Sequence, residues 1–188
     1  QKLGLLDSLK IYEPFLAKVF GLSTYISYQN NGGNFASEGE YFAKQYFQFV
    51  DLADPELGRM PHMFEAFKNY ARTIVRVGLL PAQQQQFTKE VVAKLPANTV
   101  AHRMALLGLA NGFKSTNGDL FVQYGEAFID SYQTENPGAA RQLQLQVNAE
   151  KAIAIGAIAP DIKLPTPAGD SLSLNSLRGN VVLIDFWA

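Results

Sequence analysis

The reactive side chains of this sequence, and their spacing, limit the chemistry that the chain could perform. The 188 residues include no cysteine, so they contain no thiol nucleophile, no disulfide and no thiolate zinc site. The two histidines, His62 and His102, form no His-x-x-x-His motif and have no adjacent glutamate. We therefore expect both histidines to be packed or surface residues, and we expect no bound metal ion and no cofactor.

Acidic residues cluster once, in the segment "DLADPELG", which holds Asp51, Asp54 and Glu56. A calcium loop of the EF-hand type alternates its ligands and places a glycine at a fixed position, and this segment does neither. We interpret it as a turn that closes a helix. Glycine-rich phosphate-binding loops and a Gly-x-Ser-x-Gly motif are also missing from the sequence, so nucleotide binding and serine-hydrolase activity have no support.

One further acid, Asp185, lies in the apolar run "VVLIDFWA" at residues 181–188. An apolar run rich in β-branched residues is typical of a strand that is buried on both faces. We therefore expect a buried strand here, with Asp185 as its one polar group and Trp187 near its end. Strands of this kind normally lead into a loop that carries function.

Net charge argues against nucleic-acid and anionic-membrane partners, and hydropathy argues against a transmembrane helix. The sequence has 16 basic and 17 acidic residues and a formal net charge of -1, without long runs of like charge. Nucleic acids and anionic membrane surfaces are bound by strongly basic patches, so a nucleic-acid partner is not expected. No stretch approaches the roughly 18 to 20 uninterrupted apolar residues of a transmembrane helix.

The apolar residues up to about position 153 recur every three or four positions, which is the period of a helix. We expect an all-helical domain over residues 1–154, with about six or seven helices in a bundle or stack. A tetratricopeptide array is disfavoured, because one turn is too long and no second copy recurs at a fixed period. The first expected helix has a stripe of Leu5, Leu9, Tyr12, Leu16 and Val19 and ends at Gly21, and the second is capped by Ser37 and runs to Leu52. A third runs from Pro61 to Val77, and a fourth begins at Pro81. An antiparallel pair around "STNGD" and a last helix in "GAARQLQLQVNAEKAIAI" follow.

Aromatic residues crowd the second of these helices more densely than a single buried stripe requires. They are Tyr41, Phe42, Tyr46, Phe47 and Phe49. Two interpretations stay open at this point. The helix packs on two sides inside the domain, or it exposes an aromatic patch that receives a partner or an unfolded client protein.

The sequence pattern changes after Ile155. Three prolines fall within eight residues, and "DSLSL" then alternates polar and apolar residues, as a strand does. We expect a β-hairpin that turns at residues 167–169, one short helical turn in "NSLRG" stopped by Gly179, and the strand "VVLIDFW". Residues 155–188 are therefore expected to form a second, incomplete domain.

The segments "IGAIAPDIKL", "PAGDSLSLNSLRGN" and "VVLIDFWA" together resemble the opening of extracytoplasmic thiol-disulfide oxidoreductases of the thioredoxin-like type. The resemblance implies that the chain is mainly α, with a helical bundle or stack followed by the first β-hairpin and central strand of a thioredoxin-like α/β domain. The helical part is similar to the amino-terminal extension of Bacteroidetes-type members. In that family a Cys-x-x-Cys motif follows "DFWA" within a few residues, and the sequence ends before it.

The resemblance also implies roles for two residues. Asp185 would be a buried supporting acid that exchanges protons with the second cysteine, and Trp187 would shape the surface that meets the substrate. Both residues also have a purely structural interpretation. Asp185 would be a carboxylate at the end of a strand that is hydrogen-bonded to nearby backbone, and Trp187 would cover an edge of the core. Neither residue can catalyse disulfide exchange without the cysteines.

The function implied is therefore that of the amino-terminal portion of an envelope thiol-disulfide oxidoreductase, which reduces or isomerises disulfides in the periplasm or cell envelope. The helical domain would bind disulfide-containing clients or an envelope partner, or form a homodimer, with any membrane tether outside this chain. Two alternatives remain: a non-enzymatic helical interaction module of an envelope complex, and a peroxiredoxin-like parent protein. These 188 residues alone are expected to be inactive.

Overall fold

The computed structural model describes residues 1–185 and consists of two compact units, Gln1–Glu150 and Lys151–Ala188. We call them the helical unit and the C-terminal unit. The division falls within the last helix of the chain, Pro137–Ile153, a few residues before the boundary near residue 155 that the sequence predicts. A mainly helical chain with one small antiparallel sheet near its C-terminus confirms the predicted fold class.

Nine α-helices are present in the described part of the chain. They are α1 (Lys2–Tyr12), α2 (Pro14–Ser23), α3 (Tyr28–Asn31), α4 (Glu38–Gln45), α5 (His62–Arg76), α6 (Pro81–Val92), α7 (Val100–Phe113), α8 (Gly118–Tyr132) and α9 (Pro137–Ile153), with a 3-10 helix at Pro55–Arg59 between α4 and α5. Local signals set most of these bounds. Ser37 caps α4 by accepting the Glu40 N–H at 3.1 Å, and Gly78 ends the α5 region with a φ of 79°.

Three helix predictions need correction. The described residues form nine α-helices where six or seven were expected, because the first stripe is divided in two and a one-turn helix forms at Tyr28–Asn31. The first predicted stripe is split into α1 and α2, because Pro14 cannot donate a backbone hydrogen bond and begins a new helix. Helix α4 ends at Gln45 and does not reach Leu52. The backbone beyond it tightens into turns, with the Gln48 N–H bonded to the Gln45 carbonyl at 3.2 Å.

The aromatic residues of the α4 region pack on two sides, as the first of the two interpretations predicts. None of the five is an exposed residue. Phe42 stacks on Tyr25, with ring centroids 3.9 Å apart, on one side. Phe47 stacks on Phe67 of α5, at 4.7 Å, on the other. Tyr41 and Phe47 are buried and the other three are partly buried, so the cluster is internal packing.

The core of the helical unit forms where α7 packs against both α5 and α8. Two glycines let α7 approach α5 closely. A Cβ atom added at Gly108 would lie 2.5 Å from the Phe64 carbonyl oxygen, and one at Gly112 would lie 2.5 Å from the Ala71 Cβ. Real Cβ atoms do not come so close to other atoms, so α5 and α7 can cross at this distance only because Gly108 and Gly112 have no side chain.

A chain of hydrogen bonds runs through this core beside the apolar packing. The Tyr124 hydroxyl donates to Thr88 Oγ1 at 2.6 Å, and the Thr88 hydroxyl donates to the Gln84 carbonyl at 2.7 Å. The amide of Asn117, at the start of α8, donates to Gln84 Oε1 at 2.9 Å. Burial raises the pKa of Tyr124 to about 12, so its hydroxyl stays protonated at neutral pH. The bonds fix the register of α6 against α8.

The C-terminal unit contains a two-stranded antiparallel hairpin, β1 (Lys163–Pro165) and β2 (Ser171–Ser173), in which Leu164 pairs with Leu172. The turn lies where the sequence predicts it, with Gly169 at a φ of 91° and its N–H bonded to the Thr166 carbonyl at 3.0 Å. A 3-10 helix at Leu174–Leu177 follows, as expected, and ends before Gly179.

The predicted buried strand at the end of the chain does not form over residues 181–185. These residues form no regular secondary structure and are exposed, and they pair with no strand in the described part of the chain. The physical reason is that a central strand needs a partner on each edge and a covering layer on each face. The hairpin supplies neither.

The first prediction concerns the close approach of α5 and α7. We expect Gly108→Ala to lower the free energy of unfolding by about 1–3 kcal/mol, because the new methyl group overlaps the α5 backbone. Gly138→Ala is the matched control, since a Cβ at Gly138 in α9 would meet no atom within 4 Å. Urea unfolding followed by circular dichroism measures both. A Gly108→Ala variant as stable as Gly138→Ala would contradict this packing.

Candidate functional site

The residue that the sequence singles out as a supporting acid, Asp185, lies at the rim of an apolar cavity in the C-terminal unit. The cavity has a volume of about 260 Å³. Its lining comes from the hairpin and the residue before it, from the 3-10 helix, and from residues 182–185. The lining residues are Ile162, Leu164, Leu172, Leu174, Leu177, Val182, Leu183, Ile184 and Asp185. Asp185 is its one charged residue.

Asp185 itself is exposed, whereas the sequence predicts a buried acid. The difference has the same cause as the missing strand, because the residues that would bury a central-strand carboxylate are not supplied by the hairpin. Trp187, the other predicted site residue, lies outside the described residues. The structure thus brings Asp185 together with the apolar cavity.

The chemistry of this cavity is that of an incomplete core. Eight of its nine lining residues are aliphatic, and no thiol, hydroxyl or imidazole group lines it. Leu164 is 62% exposed and Leu183 is 93% exposed. Surfaces of this kind cost free energy in water, so they are normally covered by another layer of the same domain or by a partner.

Asp161 organises the elements around the cavity, and the sequence did not reveal it as a site residue. One carboxylate oxygen, Oδ1, accepts the Ser173 hydroxyl at 2.6 Å and the Asn175 N–H at 3.0 Å. It thereby ties the segment before β1 to the end of β2 and the start of the 3-10 helix. The signal in the sequence was an acid two residues before the predicted hairpin strand, with the polar residues of "SLSLNS" on the other side of the turn.

The electrostatics of Asp161 follow from these two bonds. The Ser173 hydroxyl, and then the Asn175 N–H, hold the pKa of the carboxyl below its ordinary value, because both stabilise the charged form. The group is fully exposed to solvent, so the effect on stability is local. It orients the hairpin toward the cavity and performs no chemistry itself.

The two histidines do not form a site either. His102 Nδ1 lies 2.7 Å from the Tyr132 hydroxyl, inside the packing of α7 against α8. Burial lowers the pKa of His102, so the ring is neutral at pH 7. No group of three metal-binding side chains occurs among residues 1–185. The described helices also include none with the length and apolar character needed to cross a bilayer.

The helical unit also contains larger cavities among its described residues: one of about 290 Å³ between α8 and α9, and two of about 330 Å³ each. One of these two is lined in part by Lys44, whose Nζ lies 2.7 Å from Glu40 Oε1. The other is lined in part by Asp54, which pairs with Lys18 at 2.6 Å. The C-terminal cavity remains the candidate site, because it contains Asp185, the acid that the sequence singles out.

Comparison of the chain with known proteins gave no match to a family model, to a curated protein or to a solved structure.

The second prediction concerns the bonds of Asp161. Because its pKa is lowered on folding, the stability that it contributes is present above the ordinary carboxyl pKa of 3.8 and is lost as the pH falls through the lower folded value. We expect the amide proton shift of Asn175 in NMR spectra to titrate with a midpoint below 3.8, and Asp161→Asn to speed exchange of this amide. Asp170→Asn, in the same hairpin, is the control that leaves Asn175 unchanged. A midpoint at or above 3.8 would refute the two bonds.

Proposed function

We propose that these residues are the helical amino-terminal portion and the first α/β elements of an envelope thiol-disulfide oxidoreductase of the thioredoxin-like type. One observation carries the proposal: a hairpin, a 3-10 helix and the apolar residues 182–184 line one open apolar cavity together with Asp185. The order of these elements along the chain is the one that the resemblance implies. The localisation of the protein in the periplasm or cell envelope is part of the same proposal.

Disulfide exchange sets specific requirements for the rest of such a domain. A thiolate at the amino terminus of a helix is stabilised by the backbone N–H groups and the helix dipole there, and a second thiol one turn later resolves the mixed disulfide. The segment ending at Asp185 would become the strand that aims this helix. The thiols must come from residues outside this sequence, which contains no cysteine.

Asp185 has a defined role in this proposal. Once further strands and a helix cover the cavity, its carboxylate is enclosed by the aliphatic side chains that already line it, among them Leu164 and Ile184. A carboxyl group in an apolar enclosure holds its proton more tightly, so it can pass a proton to and from a neighbouring thiol at neutral pH. Trp187 would then border the surface that meets the client.

The helical unit supports a binding role. Its core is closed, and it occupies most of the chain. A unit of this kind positions a redox domain on a client or on an envelope protein, and it needs no catalytic group for that purpose.

A second function, that of a non-enzymatic interaction module, is favoured by a separate observation. The described residues that line the cavity in the C-terminal unit include no nucleophile. In that case the C-terminal unit would be structural only. A peroxiredoxin-like parent remains the third alternative, and peroxide consumption separates it from the first two.

The third prediction tests the oxidoreductase with a protein extended by the native residues that follow Ala188. We expect it to reduce insulin with dithiothreitol as electron donor, and we expect Asp185→Asn to slow the reaction about tenfold or more near neutral pH, because the proton relay is removed. Asp170→Asn is the matched control, an exposed hairpin aspartate that should leave the rate unchanged.

Three other outcomes have a clear meaning. An extended protein that neither reduces insulin nor consumes peroxide supports the interaction module. One that consumes peroxide but does not reduce insulin supports the peroxiredoxin-like parent. Equal rates for Asp185→Asn and Asp170→Asn would remove Asp185 from the mechanism while leaving the family assignment intact.

A further inference from the structure

One cavity of the helical unit lies between the 3-10 helix Pro55–Arg59 and the start of α7. Its volume is about 330 Å³. That volume falls within the range of small-molecule sites in proteins, which is roughly 300–1,000 Å³. We call this space the Arg59 cavity, and its lining includes Asp54, Pro55, Arg59, Pro96, Thr99 and Val100.

The two walls of the Arg59 cavity are fixed by hydrogen bonds between side chains and backbone. In one wall Asp54 Oδ1 accepts the Glu56 N–H at 2.9 Å. In the other wall the Thr99 hydroxyl donates to the Pro96 carbonyl at 2.8 Å, and its oxygen accepts the His102 N–H at 3.2 Å. The cavity is therefore formed before a ligand arrives, which reduces the conformational entropy that binding would cost.

Most of the lining of the Arg59 cavity is apolar. Pro55, Pro96 and Val100 contribute ring and methyl groups, and Val100 remains 39% exposed although it is aliphatic. Apolar surface inside a preformed concave site favours a ligand with an apolar body. A cavity of about 150 Å³ holds one benzene ring, so the Arg59 cavity has room for roughly a dozen non-hydrogen atoms.

One cation in this lining has no protein partner in the described part of the chain. The Arg59 guanidinium forms neither an ion pair nor a hydrogen bond with residues 1–185. The acid in the lining is already occupied, because Asp54 Oδ2 lies 2.6 Å from Lys18 Nζ, which also pairs with Glu56. The two cations and two acids balance in charge, and the free donors are those of Arg59. Its planar fork matches a carboxylate through two parallel N–H···O bonds.

We propose that the Arg59 cavity binds a small free carboxylic acid with a compact apolar body of about eight or nine carbon atoms. The carboxylate binds the Arg59 guanidinium, and the apolar body lies against Pro55, Pro96 and Val100. An inorganic anion would use only the first of these features, and a neutral apolar molecule would use only the second. Binding here is independent of disulfide exchange, because every residue of the cavity belongs to the helical unit.

The fourth prediction is that the 188-residue chain binds 3-phenylpropionate with a Kd on the order of 0.1–1 mM, the affinity expected for a ligand of about eleven non-hydrogen atoms. In an NMR titration we expect the shifts to centre on the amides of Val100 and Ala101. The uncharged 3-phenylpropionamide, of the same shape, should bind at least about threefold more weakly. Absence of binding at about 10 mM overturns the proposal. Shifts confined to Leu164 and Leu183 overturn it too, because the acid would then occupy the C-terminal cavity.

Removal of the free cation tests the ionic part of the site. We expect Arg59→Gln to weaken binding of 3-phenylpropionate about three- to tenfold, and to change the affinity for 3-phenylpropionamide by less than about twofold, because only the acid uses the positive charge. Arg72→Gln, at an exposed arginine of α5 outside the cavity, is the matched control and should leave both affinities unchanged. Equal affinities of the Arg59→Gln and Arg72→Gln variants for the acid would overturn the proposal.

A larger side chain at the exposed lining residue Ala53 tests the location. Ala53→Phe places a ring in the cavity and should weaken binding at least about tenfold, whereas Ala97→Phe, in the loop before α7 but outside the lining, should not. Thermal unfolding followed by circular dichroism checks that both variants fold. Full binding by a folded Ala53→Phe variant would overturn the site. N-acetylphenylalanine carries the additional backbone of a peptide C-terminus, so tighter binding of it than of 3-phenylpropionate would overturn the free acid in favour of a peptide.

Discussion

The exposure of aliphatic side chains in the C-terminal unit is the constraint on which the interpretation of this protein depends. A two-stranded hairpin of three residues per strand cannot cover the face that Leu164 and Leu172 present, and residues 181–185 cannot form a central strand without partners. The cavity between them is therefore apolar and open. Under the proposed function, further strands and a helix of the same domain would cover it.

The helical unit shows the opposite condition, because its core is already complete. The glycines of α7 bring it against α5, and the hydrogen bonds from Tyr124 through Thr88 to Gln84 join α8 to α6. The contrast between a closed helical core and an open α/β fragment favours a division of labour. Under the proposed function, the helical unit would bind a client or partner, while the chemistry would belong to the domain that begins in the C-terminal unit.

The sequence predicted those parts of the fold that depend on local signals. Ser37 as a cap, Gly78 as a helix end, Gly169 in the hairpin turn and Gly179 after the 3-10 helix act within a few residues of themselves, so their effects can be inferred from the chain alone. The two-sided packing of the α4 aromatics was one of two interpretations that their spacing allowed.

Other features were not predictable, because they depend on contacts distant in sequence. Phe47, just beyond the end of α4, stacks on Phe67 from a later helix, and the exposed orientation of Leu5 and Tyr12 depends on which side of α1 meets α2. The two bonds of Asp161 join residues 12 and 14 positions apart. Asp185 was identified as a candidate from its place in an apolar run, but its burial depends on a layer that the described residues do not contain.

The central claim is that the open apolar cavity is the beginning of a thioredoxin-like redox domain. The nucleotide sequence that follows the codon for Ala188 in the gene tests it most directly. A Cys-x-x-Cys motif within the next several residues, placed to begin a helix after the segment that carries Asp185, is the predicted result. An open reading frame that continues without two cysteines there, or that ends at once, would contradict the assignment to thiol-disulfide chemistry.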